Sequence, residues 1–421
     1  MAATVSEKIL SRHAGQSRVS PGEFVEARSD LSMAHESARI AIQSFREMGA
    51  KKVLWPKTVV IVLDHRAPAE CEETATVHRL IRDFVKEQHI SNFYDVGEGV
   101  CHQLLAEKGH VRPGALVIGS DSHTPTAGAL GAFATGVGPT EVASVWATKK
   151  IWLRVPETIR VDVEGKFPGG VGAMDLALSL VGRIGAFGAE YKAIEYGGAT
   201  ISGMGVGARM TLCNLSTEMG AKAAIVEPDH NTIHYLARHG VAFKGPAVRA
   251  DSGASYENEL KLRAGELEPM VACPHSVDNV RPVREQAGRP VDQAVLGSCT
   301  NGRLEDLKTA AGILNGLKVA RGVRFIVVPA SRAILLEGIR KGFVGTLLDA
   351  GAVLGNPGCG PCLGAHQGVL AQGETCISTT SRNFKGRMGS TEAAIYLASP
   401  ATVAASALRG KITDPRTVMS R

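Results

Sequence analysis

Short aliphatic runs alternate with longer amphipathic stretches along almost the whole of this 421-residue chain. That alternation admits few architectures besides α/β. Thr58-Val-Val-Ile-Val-Leu63 reads as a buried strand, and the spacing predicts a helix over 70–87 behind it. Ala115 to Gly119 predicts a second strand. Pro139-Thr-Glu141 opens a helix that carries Val142, Val145 and Trp146 and runs on until Pro156 stops the pattern. Further strands are expected at Thr158 to Val163, Gln293 to Leu296, Val323 to Val328, Ala352 to Leu354 and Thr375 to Ser378. Helices are expected at Met174 to Arg183, Cys213 to Gly220, Glu305 to Leu314 and Arg332 to Lys341. The charged, Gly/Pro-containing stretch around 155–170 and the polar segment Asp278 to Pro290 read as linkers. The expected organisation is three α/β domains, 1–157, 158–284 and 285–421, the last carrying a cysteine cluster. Glycine supplies 48 residues, which suits many tight strand-to-helix turns.

Three of the eight cysteines sit in such turns: Cys299 in Gly297-Ser-Cys-Thr-Asn-Gly302, and Cys359 and Cys362 in Asn356-Pro-Gly-Cys-Gly-Pro-Cys362. Three thiolates can hold an iron–sulfur cube and leave one corner without a protein ligand, whereas an electron-transfer cluster normally has every corner capped. The same C-x-x-C is open to a thioredoxin-type redox reading, to zinc, and to simple buried thiols. The redox pair would sit at a helix start near the N-terminus of a small domain, and zinc lacks a second ligand pair at usable spacing. Cys71, Cys101, Cys213, Cys273 and Cys376 read as buried small hydrophobes. Scattered cysteines, a polar N-terminus without an apolar signal core, and no aliphatic run near the length of a bilayer together imply a reducing, cytoplasmic setting and no membrane. The net charge of +6 is spread along the chain without a basic–aromatic stripe, which argues against nucleic acid and leaves small anions open.

Two histidines adjoin acidic residues just after predicted strands: Asp64-His65 and Asp121-Ser122-His123. His102 follows the Gly97-Glu-Gly99 turn, and Asn214 and Glu218 stand four residues apart on an expected helix. A carboxylate-held imidazole is what acid–base chemistry near neutral pH requires. Arg382 and Arg387 bracket a glycine turn at a strand end, where a pair of guanidinium groups suits a carboxylate. Leu116-Val-Ile-Gly-Ser-Asp-Ser-His-Thr124 and Ala294-Val-Leu-Gly-Ser-Cys-Thr300 weakly echo one another, so two strand-end turns from two domains are expected to face one cleft. Gly203-Met-Gly-Val-Gly207 lacks the spacing and strand-to-helix setting of a dinucleotide turn.

This ordered set of motifs, from Ser6-Glu-Lys-Ile-Leu10 to Arg387, resembles the aconitase superfamily of iron–sulfur hydro-lyases over essentially the whole chain. Within it the pattern is most similar to the 3-isopropylmalate dehydratase large-subunit family and its homoaconitase-type relatives. The resemblance implies one [4Fe–4S] cluster on Cys299, Cys359 and Cys362, with one iron open to substrate. It implies reversible dehydration of a 2-hydroxy di- or tricarboxylate, with 3-isopropylmalate/2-isopropylmalate isomerisation in leucine biosynthesis as the main expectation. Homocitrate-type, methylmalate and dimethylmalate acids are the alternatives. By the same resemblance His65 pairs with Asp64, His102 with Asp121 and His123 with Glu218, while Ser122, Arg382 and Arg387 contact substrate carboxylates. The swivelling domain of fused members has no counterpart before Arg421, so a small subunit is expected to complete a heterodimer or heterotetramer. Members usually read His-Asp-(Gly or Val)-Thr where this chain has His35-Glu36-Ser37-Ala38, and Asn where it has Ser381. Pro125 is nearer to aconitase than to many isopropylmalate enzymes. An apo-form RNA-binding protein and an electron carrier with a fourth cysteine ligand are the competing readings.

Overall fold

In the computed structural model, which describes residues 2–243 and 245–419, three parallel or mostly parallel sheets surround one cleft. The first has five parallel strands in the order Asn92–Tyr94, Val59–Val62, Leu31–Ala34, Leu116–Gly119, Phe133–Gly136. The second has four, in the order Ala223–Val226, Ala193–Gly197, Thr158–Glu164, Asn258–Arg263, also parallel. The third runs Val280–Pro282, Met270–Ala272, Ala394–Ala398, Thr375–Ser378, Gln293–Gly297, Arg324–Val328, Val353–Leu354, with antiparallel pairing only at the first two junctions. Val59–Val62 and Leu116–Gly119 are buried at every position, as strands covered by helices on both faces must be. A small antiparallel ribbon joins Phe24–Arg28 to Lys150–Arg154.

The structure corrects several sequence expectations. The helix at Pro139 ends at Thr148, because Lys149 turns left-handed (φ +62°) and Lys150–Arg154 pairs as a strand. The helix expected from Cys213 opens at Val206 and gives way to a 3-10 turn, Thr217–Met219, which carries Glu218. Gly205 is the N-cap of that helix. The segment expected to link the second and third domains holds the strand Val280–Pro282, which pairs with Met270–Ala272. Both belong to the third sheet, so the 284/285 division does not coincide with a sheet boundary; backbone pairing outweighs the polar, proline-containing composition there. Cys71 is exposed, not buried, because it caps a helix at the surface.

One apolar core runs continuously from Met33 and Val60 through Val161 and Leu212 to Val328 and Leu397, and so joins all three sheets. At Gly128 an added Cβ would overlap the Ala224 carbonyl oxygen, so the 3-10 turn Thr124–Leu130, between two strands of the first sheet, meets the second sheet at backbone contact distance there. The cleft walls are held by the same core that stabilises the fold.

Candidate active site

Most of the candidate residues follow the carboxyl end of a parallel strand, where open α/β sheets gather their ligands, while His102 lies on the helix Cys101–Glu107 and Glu218 on the 3-10 turn Thr217–Met219. Val59–Val62 delivers Asp64 and His65, Leu116–Gly119 delivers Asp121 to His123, Gln293–Gly297 delivers Cys299, and Thr375–Ser378 delivers Ser381 and Arg382. A cavity of about 280 Å3 is lined by His65, His102, Asp121, Ser122, His123, Cys299, Cys359, Cys362, Arg382 and Arg387, together with His35, Glu36, Arg66, Val100, Leu363 and Ser381. Asp64 and Glu218 stand one contact behind this lining.

His65 Nδ1 lies 2.8 Å from Asp64 Oδ1, His102 Nε2 lies 2.7 Å from Asp121 Oδ1, and His123 Nε2 lies 2.8 Å from Glu218 Oε1. Asp64 is fully buried, and its second oxygen accepts the Cys101 N–H at 2.6 Å. The three pairs form one network, since His65 Nε2 is also 3.3 Å from Asp121 Oδ2. Burial alone would lower the His65 imidazole, but the Asp64 and Asp121 carboxylates hold it well above its ordinary value. Burial would likewise raise Asp121, yet His102, His123 and His65 together keep it well below the usual carboxylate range. His123 is raised to about 10 against its burial, by hydrogen bonds that its imidazole donates to the Asp121 and Glu218 carboxylates. His65 and His123 are therefore held towards their protonated form while Asp121 is held ionised.

The cysteine turns are built just as tightly. Ser298 adopts a left-handed φ of +69°, a conformation rare outside glycine, and this turns Cys299 out of the strand. Arg303, nearly buried, donates to the carbonyl oxygens of Cys299 and Thr300, each at 2.7 Å. Cys359 N–H donates to the Asp64 carbonyl at 2.9 Å, and a Cβ on Gly358 would meet that same oxygen at 2.7 Å. The turn thus closes directly on the first domain. The Asn214 side-chain amide donates to Cys299 Sγ at 3.2 Å, and Arg387 Nη2 lies 3.6 Å from Cys362 Sγ. The Cys362 thiol is held well below its ordinary value by the Cys359 thiol beside it and by Arg387.

Among the described residues, the three sulfurs are not drawn within 4.8 Å of one another, as ligands of a single ion would be. The groups that do converge that closely are His35, His65 and Asp121, and Glu36, Asp64 and His65. Wider-spaced thiols facing one cavity suit a polynuclear centre rather than one metal atom. Two buried donors nearby, Ser381 Oγ and Arg387 Nε, have no protein partner, as donors to an inorganic sulfide would not. The donor set fits an iron–sulfur cluster.

An aconitase-family profile, described as "Aconitase family (aconitate hydratase)", matches residues 7–290 and 284–410. The chain belongs to the aconitase family. Membership implies an iron–sulfur cluster, in agreement with the donor set. This aconitase-family chain is 52% identical over 417 residues to the 3-isopropylmalate dehydratase large subunit 1 of Methanopyrus kandleri, covering 99% of each chain. It is 54% identical over 390 residues to a probable methanogen homoaconitase large subunit of Methanosarcina mazei, covering 92% of this chain and 99% of that one. The holo-form crystal structure of Thermococcus kodakaraensis aconitase X shares its fold, with a TM-score of 0.52 at 13% identity over 90% of this chain and 89% of that one. No helix among the described residues is long and apolar enough to cross a membrane.

The sequence named His35, Glu36 and Asn214 without their contacts, named Glu218 without its contact to Arg382, and assigned Arg303 no role. His35 stacks on His65 with ring centroids 4.1 Å apart, and Glu36 accepts the backbone N–H groups of both His65 and Arg66. Arg303 was hidden because a buried arginine looks like any surface arginine in a sequence. Asn214 and Glu218 were seen as one helical face, yet Asn214 reaches Cys299 while Glu218 reaches His123 and Arg382. Arg382 Nε donates to Glu218 at 2.7 Å, so part of its donor capacity is already committed within the protein.

Proposed function

We propose that this chain is the large subunit of a 3-isopropylmalate dehydratase, interconverting 2- and 3-isopropylmalate by reversible loss and return of water in leucine biosynthesis, in the cytoplasm. The observation that carries the proposal is a single cavity where three histidine–carboxylate pairs meet three cysteines. Near-full-length likeness to relatives of that name supports it. Cys299, Cys359 and Cys362 would hold one [4Fe–4S] cluster. Such a cluster supplies a Lewis-acid iron that makes hydroxide a better leaving group.

The chain's own residues perform the rest. His65, kept protonated by Asp64 and Asp121, holds the proton that the departing hydroxyl needs. His102 and His123 keep Asp121 ionised, so that His65 remains charged until a substrate oxygen replaces that contact. Arg387 and the remaining donors of Arg382 bind substrate carboxylates, and Ser122 adds a hydroxyl at the cavity wall. Val100 and Leu363 give the same cavity an apolar side suited to an alkyl group. The relatives' large-subunit names imply a small subunit, which would close the cleft in a heterodimer or heterotetramer and supply the base for the carbon-bound proton.

The test is anaerobic cluster reconstitution, addition of the small subunit, and measurement of alkene absorbance with 3-isopropylmalate as substrate. Turnover that disappears in Cys359→Ser is expected. A cluster-loaded, assembled complex inert towards 3-isopropylmalate would overturn the reading. The 54% identity to a homoaconitase large subunit favours homocitrate-type acids as the second reading, and the same assay run on a tricarboxylate decides between them.

A further inference from the structure

Glu36 belongs to none of the three histidine–carboxylate pairs, yet it touches His35, His65 and Arg66 of the cavity wall. Its Oε1 accepts the His65 N–H at 3.0 Å and the Arg66 N–H at 3.0 Å, and its Oε2 lies 3.2 Å from the same His65 N–H. Three imidazoles face it: His35 Nδ1 at 3.6 Å, His78 Nε2 at 3.6 Å and His65 Nδ1 at 3.9 Å. The carboxylate also divides the active-site cavity from a second cavity of about 180 Å3, lined by Arg39, Arg66, Glu73 and Thr74.

We infer that Glu36 is the positioning residue of His65, holding the imidazole against Asp121 through the backbone of its own loop and through the stacked ring of His35. The need for such a residue follows from the geometry. Asp64 and His65 are neighbours in sequence, and a hydrogen bond between adjacent side chains orients the ring only if the peptide between them is fixed. The strand ends at Val62, so the sheet ladder does not fix that peptide. The Cys359 N–H holds the carbonyl of that peptide, and Glu36 holds its N–H together with the next amide, that of Arg66. His35, adjacent to Glu36, lies flat on the His65 ring and leaves it one face towards the cavity.

His78 is the outer member of this arrangement. It is 2% exposed, lies on the helix Glu72–Glu87, and its Nε2 has no hydrogen-bond partner at ordinary length. A buried imidazole nitrogen pointed at a carboxylate from beyond hydrogen-bond range braces Glu36 electrostatically from behind. Glu36 accordingly sits well below the ordinary carboxylate range despite its burial, with His35 and His78 as the first opposing causes. A carboxylate that stays ionised serves as a fixed anchor and not as a proton carrier between the two cavities.

The inference rests on the proposed hydro-lyase reading for its kinetic arm only. The test compares wild type, Glu36→Gln and Glu36→Asp as cluster-loaded complexes with the small subunit, and separately as the isolated chain with 15N-labelled histidine. Glu36→Gln keeps the size and an oxygen for the two amides, but removes the charge and puts an NH2 group where Oε2 faces the His65 N–H and the His35 and His65 rings. Glu36→Asp keeps the charge but withdraws it by one methylene. Both are expected to lower kcat by about a hundredfold, the cost of a misplacement near 1 Å, with KM changed less than about threefold. The His65 imidazole signals should shift in both variants while those of His102 stay in place. Unchanged kcat and unchanged His65 signals, or a loss of thermal stability alone, would overturn the assignment. If Glu36→Gln does not fold, Glu36→Asp carries both arms. Wild type that fails to turn over 3-isopropylmalate refutes the substrate reading and leaves the histidine spectra to judge Glu36.

Discussion

Replacing Arg303 with methionine tests whether the Cys299 turn is held from behind. Arg303 is only 4% exposed and donates to the Cys299 and Thr300 carbonyls at 2.7 Å each, and to Gln103 Oε1 at 3.2 Å. Methionine fills most of the volume but supplies no donor, leaving the Cys299 carbonyl and the Gln103 amide oxygen without this partner and the Thr300 carbonyl with the Thr211 hydroxyl alone. At about 1–3 kcal/mol for each buried acceptor left unsatisfied, the expected loss is roughly 3–5 kcal/mol once partial rescue by water is allowed. Burial alone pushes Asp306 up to about 7 even with Arg303 facing it, so removing the guanidinium also takes away one of the charges that oppose this. For a chain with domains of this size the thermal midpoint should fall by roughly 5–15 °C. Differential scanning calorimetry of the isolated chain measures this, and the rate of thiol labelling at Cys299 reports the turn itself. Arg303→Lys, which reaches one carbonyl with a single ammonium group, should fall between the two. If both variants melt within about 2 °C of wild type and label at the same rate, the claim that Arg303 braces the cysteine turn is wrong.

Asp229→Ala should cost roughly 3–5 kcal/mol, because Arg209, fully buried, would lose its carboxylate partner at 2.5–2.9 Å. The Asp229 carboxyl is lowered on folding, against its burial, chiefly by Arg209. Its stabilisation is therefore present above the unfolded value near 3.8 and lost as pH falls through the lower folded value. Urea midpoints from pH 6 downwards should show an acid limb in wild type that shrinks in the variant. Gly128→Ala should destabilise by about 3 kcal/mol or more, since the new methyl overlaps the Ala224 carbonyl, and a melting point unchanged from wild type would contradict that contact. Glu218→Gln should lower the folded His123 value from about 10, and imidazole NMR titration reads the change directly. Cys299→Ser should reduce iron retained after anaerobic reconstitution and gel filtration, whereas Cys71→Ser at the exposed helix cap should not.

Much of this arrangement was legible before any coordinates. Val59–Val62 and Leu116–Gly119 are legible nearly to the residue because apolar runs flanked by turn residues leave little choice, and Thr375–Ser378 is legible to the residue as a short run centred on Cys376 and Ile377 between turn-forming segments. The strand Lys150–Arg154 was missed although its buried and exposed residues alternate perfectly, with Ile151 and Leu153 inward. The pattern from Pro139 to Pro156 predicts one helix through the whole of this strand, and only the left-handed Lys149 separates the two. Val280–Pro282 escaped for a different reason. Three residues between prolines and charges carry no periodicity, and the segment is a strand only because Met270–Ala272 lies beside it.

The sequence by itself determined the α/β alternation, the turn chemistry after each strand, and which cysteines, histidines and carboxylates were candidates, since periodicity and turn composition are local properties. Only the tertiary structure decided which of these meet. His123 finds Glu218 across 95 residues, Asn214 finds Cys299 across 85, and Cys359 closes on the Asp64 carbonyl from another sheet. It also decided that Glu36 and Arg303, ordinary charges in the chain, are buried anchors. The physical reason is that burial and pairing belong to the packed core shared by all three sheets, and no local pattern encodes which strand ends that core brings to a common cleft.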